Sequence, residues 1–382
     1  MRVVYYLLIL AALLEKSLAV PERSNSSCVD GTQQHHLNRS KRNAFIHDGA
    51  QWPNGRVPYT LDARFTTAQR AAIAEAMNEY HTKTCVRFVD RQPNDVDYVQ
   101  LLLDDGVCGL SLFCKQGGAG WVKLGSTCLS MGKEIVTHEL GHTLCFEHET
   151  DRFDRDDYIS FDSAKCSPYS KNTVSDSTTL DLLFDYLSVQ FYEPPFVDGC
   201  IVPKLPGVTK GGSGGPLSVL DAEKVNAYYK CGGCFSYRFR PPSLITSNDV
   251  LVGGGIHTYG DTLHVCRGYF NGDILLGKTI MNANVCWVPY NGAEHQLFKY
   301  EILTNPQKVN LRWMKSPGYG IVPPNAVPGG RSAIRDTLYI CRYTMVFDGK
   351  STTLLGKYHW NGCYVSYGYE YYSLDFEFLV CD

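Results

Sequence analysis

The second half of the chain repeats itself, and that restricts its fold more than any other feature. Residues 261–303 contain D-T-L-H-V-C-R, L-L-G-K, C-W-V-P-Y and Y-E-I-L, in that order. Residues 336–379 contain D-T-L-Y-I-C-R, L-L-G-K, C-Y-V-S-Y and F-E-F-L. The offset between matching blocks stays between 75 and 79 residues. One block can recur by chance; four in the same order do not. Both copies are strand-like runs punctuated by glycine. This half is expected to be all-β, with two related sheets or hairpin sets. A shift in composition at Arg240-Pro241-Pro242-Ser243 marks the linker, taken as 236–247, and the repeats are expected at about 248–305 and 311–380.

The whole chain has 382 residues, two to three domains' worth at ~150 residues each. With 44% hydrophobic and 12% aromatic residues it has material for real cores and is no disordered tail. The 36 Lys+Arg against 39 Asp+Glu leave a net charge of −3, which gives no electrostatic case for nucleic acid or an anionic membrane. Fifteen cysteines point to an oxidising compartment, metal binding or both.

The first residues bear on compartment. Met1-Arg2 is basic, residues 3–14 are almost wholly apolar, and Ser17-Leu18-Ala19 offers small residues for cleavage. Residues 1–19 therefore read as a secretory signal peptide. The apolar run stops at Glu15, too short for the ~30 Å of a bilayer core, and no membrane span is expected elsewhere. The mature protein is expected to be secreted and extracellular. Residues 20–42 read as a propeptide, with glycan acceptors at Asn25-Ser26-Ser27 and Asn38-Arg39-Ser40. A processing protease acting after Arg42 would leave Asn43 as the new N-terminus. It would also remove Cys28 and leave 14 cysteines, an even number.

Between these ends, 66–80 reads as a helix capped by Thr66 or Thr67, with Ile73, Met77 and Tyr80 on one face. Strands are expected at 57–61, 85–89 and 98–103, and further helices at 133–144 and 218–229.

The chemistry lies in residues 138–158, H-E-L-G-H-T-L-C-F-E-H-E-T-D-R-F-D-R-D-D-Y. On a helix, His138 and His142 are four residues apart and share a face. Two imidazoles so placed can take adjacent corners of a zinc tetrahedron at ~2.0–2.1 Å. His148 can join them only if the chain turns sharply after Leu144. Three neutral imidazoles leave one position open for water, the arrangement of a catalytic zinc. Zinc lowers the pKa of such a water to ~7, and Glu139 is placed to take its proton as it attacks a peptide carbonyl.

The longer string resembles the signature of the astacin family of zinc metalloproteases within the metzincins. Cys145 departs from it, standing where the family has Gly. The resemblance covers about residues 43–235 and includes W-P-N-G-R-V-P-Y at 52–59, T-C-V-R-F at 84–88 and V-N-A-Y-Y-K-C at 225–231. It implies a two-lobed α+β catalytic domain, with an active-site helix and a twisted sheet, and one zinc ion per subunit. The family's methionine turn matches F-D-Y-L-S-V-Q-F-Y at 184–192, so Tyr192 takes the place of the tyrosine that stabilises the oxyanion. Gln190 replaces the methionine, and a buried amide there needs partners or costs ~1–3 kcal/mol. Cys145 would likewise strain a left-handed turn that glycine tolerates.

By the same resemblance Glu149 pairs with the Asn43 ammonium once the propeptide is removed; the alternative is a pair with Arg152 or Arg155. Asp30 is one candidate for a latency ligand on the zinc, Cys28 a rival and His35-His36 a third, against no zinc contact at all. Two family disulfides carry over as Cys85–Cys231 and Cys108–Cys128. The pairing of Cys114, Cys145, Cys166, Cys200 and Cys234 is open. Cys266, Cys286, Cys341 and Cys363 read equally as buried thiols or as disulfides.

Residues 248–382 resemble a pair of DM9 repeats, through C-W-V-P-Y-N-G-A-E at 286–294, V-P-P-N-A-V-P-G-G-R at 322–331 and D-T-L-Y-I-C-R at 336–342. Some DM9 proteins bind mannose. The resemblance places sugar contacts at Asp261 with Lys278 and at Asp336 with Lys357; the alternative is turn and surface charges on a spacer. The expected protein is a multidomain secreted zinc endopeptidase, made as a zymogen, that acts on protein or peptide substrates and carries a glycan-binding module. Its rival is a lectin-like recognition protein with a degenerate protease half.

Overall fold

The computed structural model describes residues 50–382 except 163, 166–170, 176, 192–198, 210, 213–214 and 348. Residues 1–42, read from the sequence as a signal peptide and propeptide and holding Cys28, Asp30 and His35-His36, lie outside the described residues, as do Asn43, Cys166 and Tyr192.

The first half is a helix-and-sheet domain. Strand β1 (Arg56–Leu61) leads to helix α1 (Thr67–Lys83), which starts at a capping box where Thr66 and Gln69 satisfy each other's backbone N–H groups. Strands β2 (Arg87–Asp90), β3 (Tyr98–Leu103), β4 (Gly109–Ser111) and β5 (Ala119–Leu124) follow. Their order is β2-β1-β3-β5-β4, with every pairing parallel except the antiparallel edge strand β4. Helices α2 (Ser126–Met131) and α3 (Glu134–Thr143) come next. Ile73, Met77 and Tyr80 of α1 pack with Val136 and Leu140 of α3 and the sheet residues Val57, Leu101 and Val122 in one core. Tyr80 also donates a hydrogen bond to the Thr137 carbonyl at 2.8 Å, which ties α1 to α3. Short strands β6 (Ile159–Phe161) and β7 (Ile201–Pro203) form a separate pair, and helix α4 (Val219–Tyr228) closes this half.

The second half is all-β. Repeat one holds β8 (Arg238–Arg240), β9 (Gly253–Ile256), β10 (Thr262–Phe270), β11 (Asp273–Thr279), β12 (Cys286–Tyr290), β13 (Ala293–Leu297) and β14 (Glu301–Thr304). Repeat two holds β15 (Leu311–Lys315), β16 (Pro328–Arg331), β17 (Thr337–Phe347), β18 (Lys350–His359), β19 (Gly362–Tyr367), β20 (Tyr369–Ser373) and β21 (Glu377–Cys381). These are not two separate sheets. They join in one 14-stranded sheet that folds back on itself through β10–β11 and β17–β18 hairpins. The repeats trade strands: β9 pairs with β18 (Ile256↔Thr353), and β16 with β11 (Arg331↔Ile274). Two lysines lock the trade. Lys278 donates to the Ser366 carbonyl of the other repeat, and Lys357 to the Pro289 carbonyl at 2.7 Å.

The segment 236–247, read from composition as a linker, contains β8. This strand pairs with β14 as β15 pairs with β21, and Phe239 is buried in the repeat core. The proline pair at 241–242 follows the strand, so the composition change marks its end rather than a free tether.

Cys85–Cys231 and Cys108–Cys128 are bonded. Cys266–Cys286 and Cys341–Cys363 are disulfides in equivalent positions of the two repeats, which decides that open pairing. Cys114–Cys145 and Cys234–Cys381 complete the described pairs. The last joins the end of the helical half to β21. The Arg267 guanidinium also spans the two halves, wholly buried: it donates to both Glu223 oxygens of α4 at 2.7 and 2.6 Å, and to Glu301 at 2.7 Å. Among the described residues no helix is long and apolar enough to cross a membrane.

Candidate active site

Helix α3 carries His138, Glu139 and His142, all buried. The helix ends at Leu144, and Cys145 turns the chain with φ 78°. The turn is the one the sequence required for His148 to return. Cys145 occupies the left-handed conformation that a glycine would adopt freely, and its bond to Cys114 anchors the turn to the loop after β4. His148 then precedes a short helical turn, Glu149–Asp151, and lies 5% exposed.

The three imidazoles converge. His138 Nε2 is 3.0 Å from His142 Nε2 and 3.3 Å from His148 Nε2. For two of them the other nitrogen fixes the tautomer. His138 Nδ1 lies 2.8 Å from the Val189 carbonyl, and His142 Nδ1 lies 2.7 Å from the Phe146 carbonyl. A carbonyl only accepts, so each Nδ1 carries the proton. The facing Nε2 atoms of His138 and His142 therefore bring lone pairs together in a buried site, an arrangement that repels without a cation between them. Ligands at ~2.0–2.1 Å from a tetrahedral zinc stand about 3.3–3.4 Å apart, close to what is found. The donor set fits zinc. His148 Nδ1 is also 3.7 Å from an Asp151 oxygen.

Glu139 is fully buried, and β4 leaves room for it because residue 109 is glycine: a Cβ there would stand 2.5 Å from Glu139 Oε1. Gly141 has a similar reason. A Cβ on it would meet the Gln190 side chain at 2.0 Å. Gln190 Nε2 donates to the His138 carbonyl at 2.7 Å, so half of the amide is satisfied. Its Oε1 has no hydrogen-bond partner among the described residues.

Glu149 is held by groups that include one its sequence context did not reveal. Oε1 accepts from Arg152 at 2.9 Å and from the Asp185 backbone N–H at 2.7 Å, while Oε2 accepts from Lys224 of α4. The Arg152 alternative is thus present, and Arg155 donates instead to the Thr150 carbonyl. Lys224 lies 75 residues away in sequence, with no local pattern to flag it. Nearby, burial and the neighbouring Asp185 push the Asp221 carboxyl above its ordinary pKa.

In the repeats, Lys278 meets Glu294, and Lys357 lies 3.7 Å from Glu370. No hydrogen bond or ion pair joins Asp261 to Lys278 or Asp336 to Lys357 among the described residues; Asp336 pairs with His359 at 3.1 Å. The pairing of Glu294 and Glu370 with these lysines is hard to see in the sequence because the matching blocks there differ by one residue in length.

Residues 45–230 match the sequence profile of Astacin (Peptidase family M12A). This region is an astacin domain. Residues 257–374 match the DM9 repeat. The astacin domain is 37% identical over 206 residues to zinc metalloproteinase nas-4 of Caenorhabditis elegans, covering 51% of this chain and 64% of that protein. It is 32% identical over 199 residues to zinc metalloproteinase nas-13 of the same organism, covering 50% of this chain and 43% of the relative. The chain thus spans less than two thirds of either relative. Among solved structures, high choriolytic enzyme 1, a hatching enzyme zinc-protease from Oryzias latipes, is 26% identical with TM-score 0.44, over 50% of this chain and all of that one.

Proposed function

We propose that the chain is a secreted zinc-dependent endopeptidase made as a zymogen, its astacin domain doing the chemistry. The carrying observation is the convergence of three Nε2 atoms, two of them on tautomers fixed by backbone carbonyls, beside the buried carboxylate of Glu139. His138, His142 and His148 hold the metal, one per chain. When bound, zinc supplies Lewis acidity that makes a water nucleophilic near neutral pH and polarises a carbonyl. Glu139 takes the proton of the attacking water and returns it to the leaving amine as the peptide bond breaks. The edge strand β4 next to Glu139 offers unpaired backbone groups to an extended peptide substrate. Tyr192 donates to the oxyanion; it lies outside the described residues.

Activation follows cleavage after Arg42. Two features support an incoming ammonium near Glu149: the unpartnered Gln190 Oε1 and the raised Asp221 carboxyl. The latency contact is assigned to Asp30 or Cys28. The DM9 pair is assigned a glycan-binding role. The aromatic rings of Tyr290 and Tyr364 beside Lys357 support it, with Glu294 and Glu370 rather than Asp261 and Asp336 as the carboxylates beside the lysines.

Protein beginning at Asn43 tests the protease assignment through zinc content and casein cleavage. Stoichiometric zinc is expected in both the parent and Glu139→Gln, with cleavage about 100- to 10,000-fold lower in the variant. Zinc-free protein, or cleavage indifferent to Glu139, would move the assignment to a recognition protein with a degenerate protease.

A further inference from the structure

Segment 184–190 forms the floor under α3, and its Val189 carbonyl orients His138. Within the astacin domain Asp221 holds one end, accepting from the Ser188 hydroxyl at 2.6 Å and the Val189 N–H at 2.8 Å. The other end is gripped from the repeat half. The Tyr269 hydroxyl donates to the Phe184 carbonyl at 2.6 Å. Arg331 donates to Asp185 Oδ1 at 3.1 Å, and Arg335 to the Leu187 carbonyl at 3.1 Å.

Asp185 is the junction. It is fully buried, its Oδ1 also accepts from the Leu187 N–H at 3.0 Å, its Oδ2 accepts from Ser218, and its own N–H donates to Glu149. Burial opposes the carboxylate, yet Arg331 and Lys224 hold its pKa below the ordinary value. Arg331 is itself 3% exposed, and its second arm is fixed on the Gly272 carbonyl at 3.2 Å. The repeat symmetry breaks here. Five residues before Asp261, where repeat one has the position equivalent to Arg331, stands Ile256, exposed to solvent. Arg335 and Tyr269 likewise have Gly260 and Thr344 as counterparts. The grip is thus no general property of the repeat.

We propose that Arg331, supplied by the second DM9 repeat, is a positioning residue of the protease site: through Asp185 it sets the 184–190 floor that orients His138. The DM9 pair is then part of the catalytic unit rather than an appended module. The inference rests on the protease reading of the site.

The test uses the full processed chain as Arg331→Met, Arg331→Lys and Tyr269→Phe. Arg342→Met is the control, at a site whose ion pair with Glu377 stays within the repeats. The readouts are kcat and KM on a peptide, Zn2+ affinity by chelator competition, and the visible spectrum of Co2+-substituted protein. Arg331→Met is expected to lower kcat or metal affinity about 10- to 100-fold and to alter the cobalt spectrum. Arg331→Lys should recover part of both, and Arg342→Met should match the parent. Tyr269→Phe removes one hydroxyl, so it should shift the spectrum in the same sense even if Arg331→Met fails to fold. Folded Arg331→Met and Tyr269→Phe proteins with parental spectrum, affinity and kcat would overturn the proposal. Parent protein that binds zinc tightly without Glu139-dependent cleavage fails the protease reading instead, and the cobalt and affinity readouts still judge Arg331.

Discussion

The astacin domain closes Cys85–Cys231 across 146 residues, besides two short bridges of 20 and 31, while each DM9 repeat closes its own disulfide only across 20 or 22. The contrast extends to the sheets. In the astacin domain β1, β3 and β5 pair in parallel, which requires long connections between neighbours. In the repeats β10–β11 and β17–β18 are antiparallel hairpins whose register is set within a few residues. The half with the reactive groups is assembled from distant segments, and the half without them is closed locally and then by symmetry. The seam carries the consequence of that difference: Arg267, Arg331 and Tyr269 all reach from the locally closed half into the other. Rigidity at the metal site is drawn partly from outside the domain that holds it.

Breaking the covalent part of the seam should have the largest effect. Replacing Cys234 and Cys381 together by Ser opens a loop of 147 residues, worth about 5 kcal/mol in the chain-entropy treatment. Calorimetry should show a lower Tm with the halves still melting together, held by the buried arginines. An unchanged Tm would mean that the clasp constrains nothing. Next comes Arg267→Met, which strands two buried carboxylates, Glu223 and Glu301, at about 3–5 kcal/mol by urea unfolding. Its counterpart in repeat two, Arg342, is 22% exposed, pairs with Glu377 and donates to the Gly254 carbonyl at 2.7 Å, so Arg342→Met should lose less, about 1–2 kcal/mol. Equal losses would remove the distinction between seam and surface. The smallest effect is expected for Gln190→Met. It deletes both the Gln190 donor and its orphan acceptor, so stability should hold or rise within about 1 kcal/mol. A loss above about 2 kcal/mol would show that the amide holds α3 in place.

Those sites also mark how far the sequence could be read. His138 and His142 are legible because helical periodicity places i and i+4 on one face. His148 needs only a turn, and the repeat announces its own strands. Lys224 at Glu149, Arg331 at Asp185 and Cys114 at Cys145 share no period with their partners; they meet only when separate elements pack. Strand β8 hid for another reason. Its three residues are too short to show alternation, and the prolines after it look like a tether.

The clasp at Cys234 also has an order in time. Its partner, Cys381, is synthesised 147 residues later, so the astacin domain emerges from the ribosome with that thiol still waiting. Oxidation can complete this cross-link only once both repeats have been translated. A truncated product lacking β21 would leave Cys234 without the partner that ties the end of the astacin domain to the last strand of the repeats.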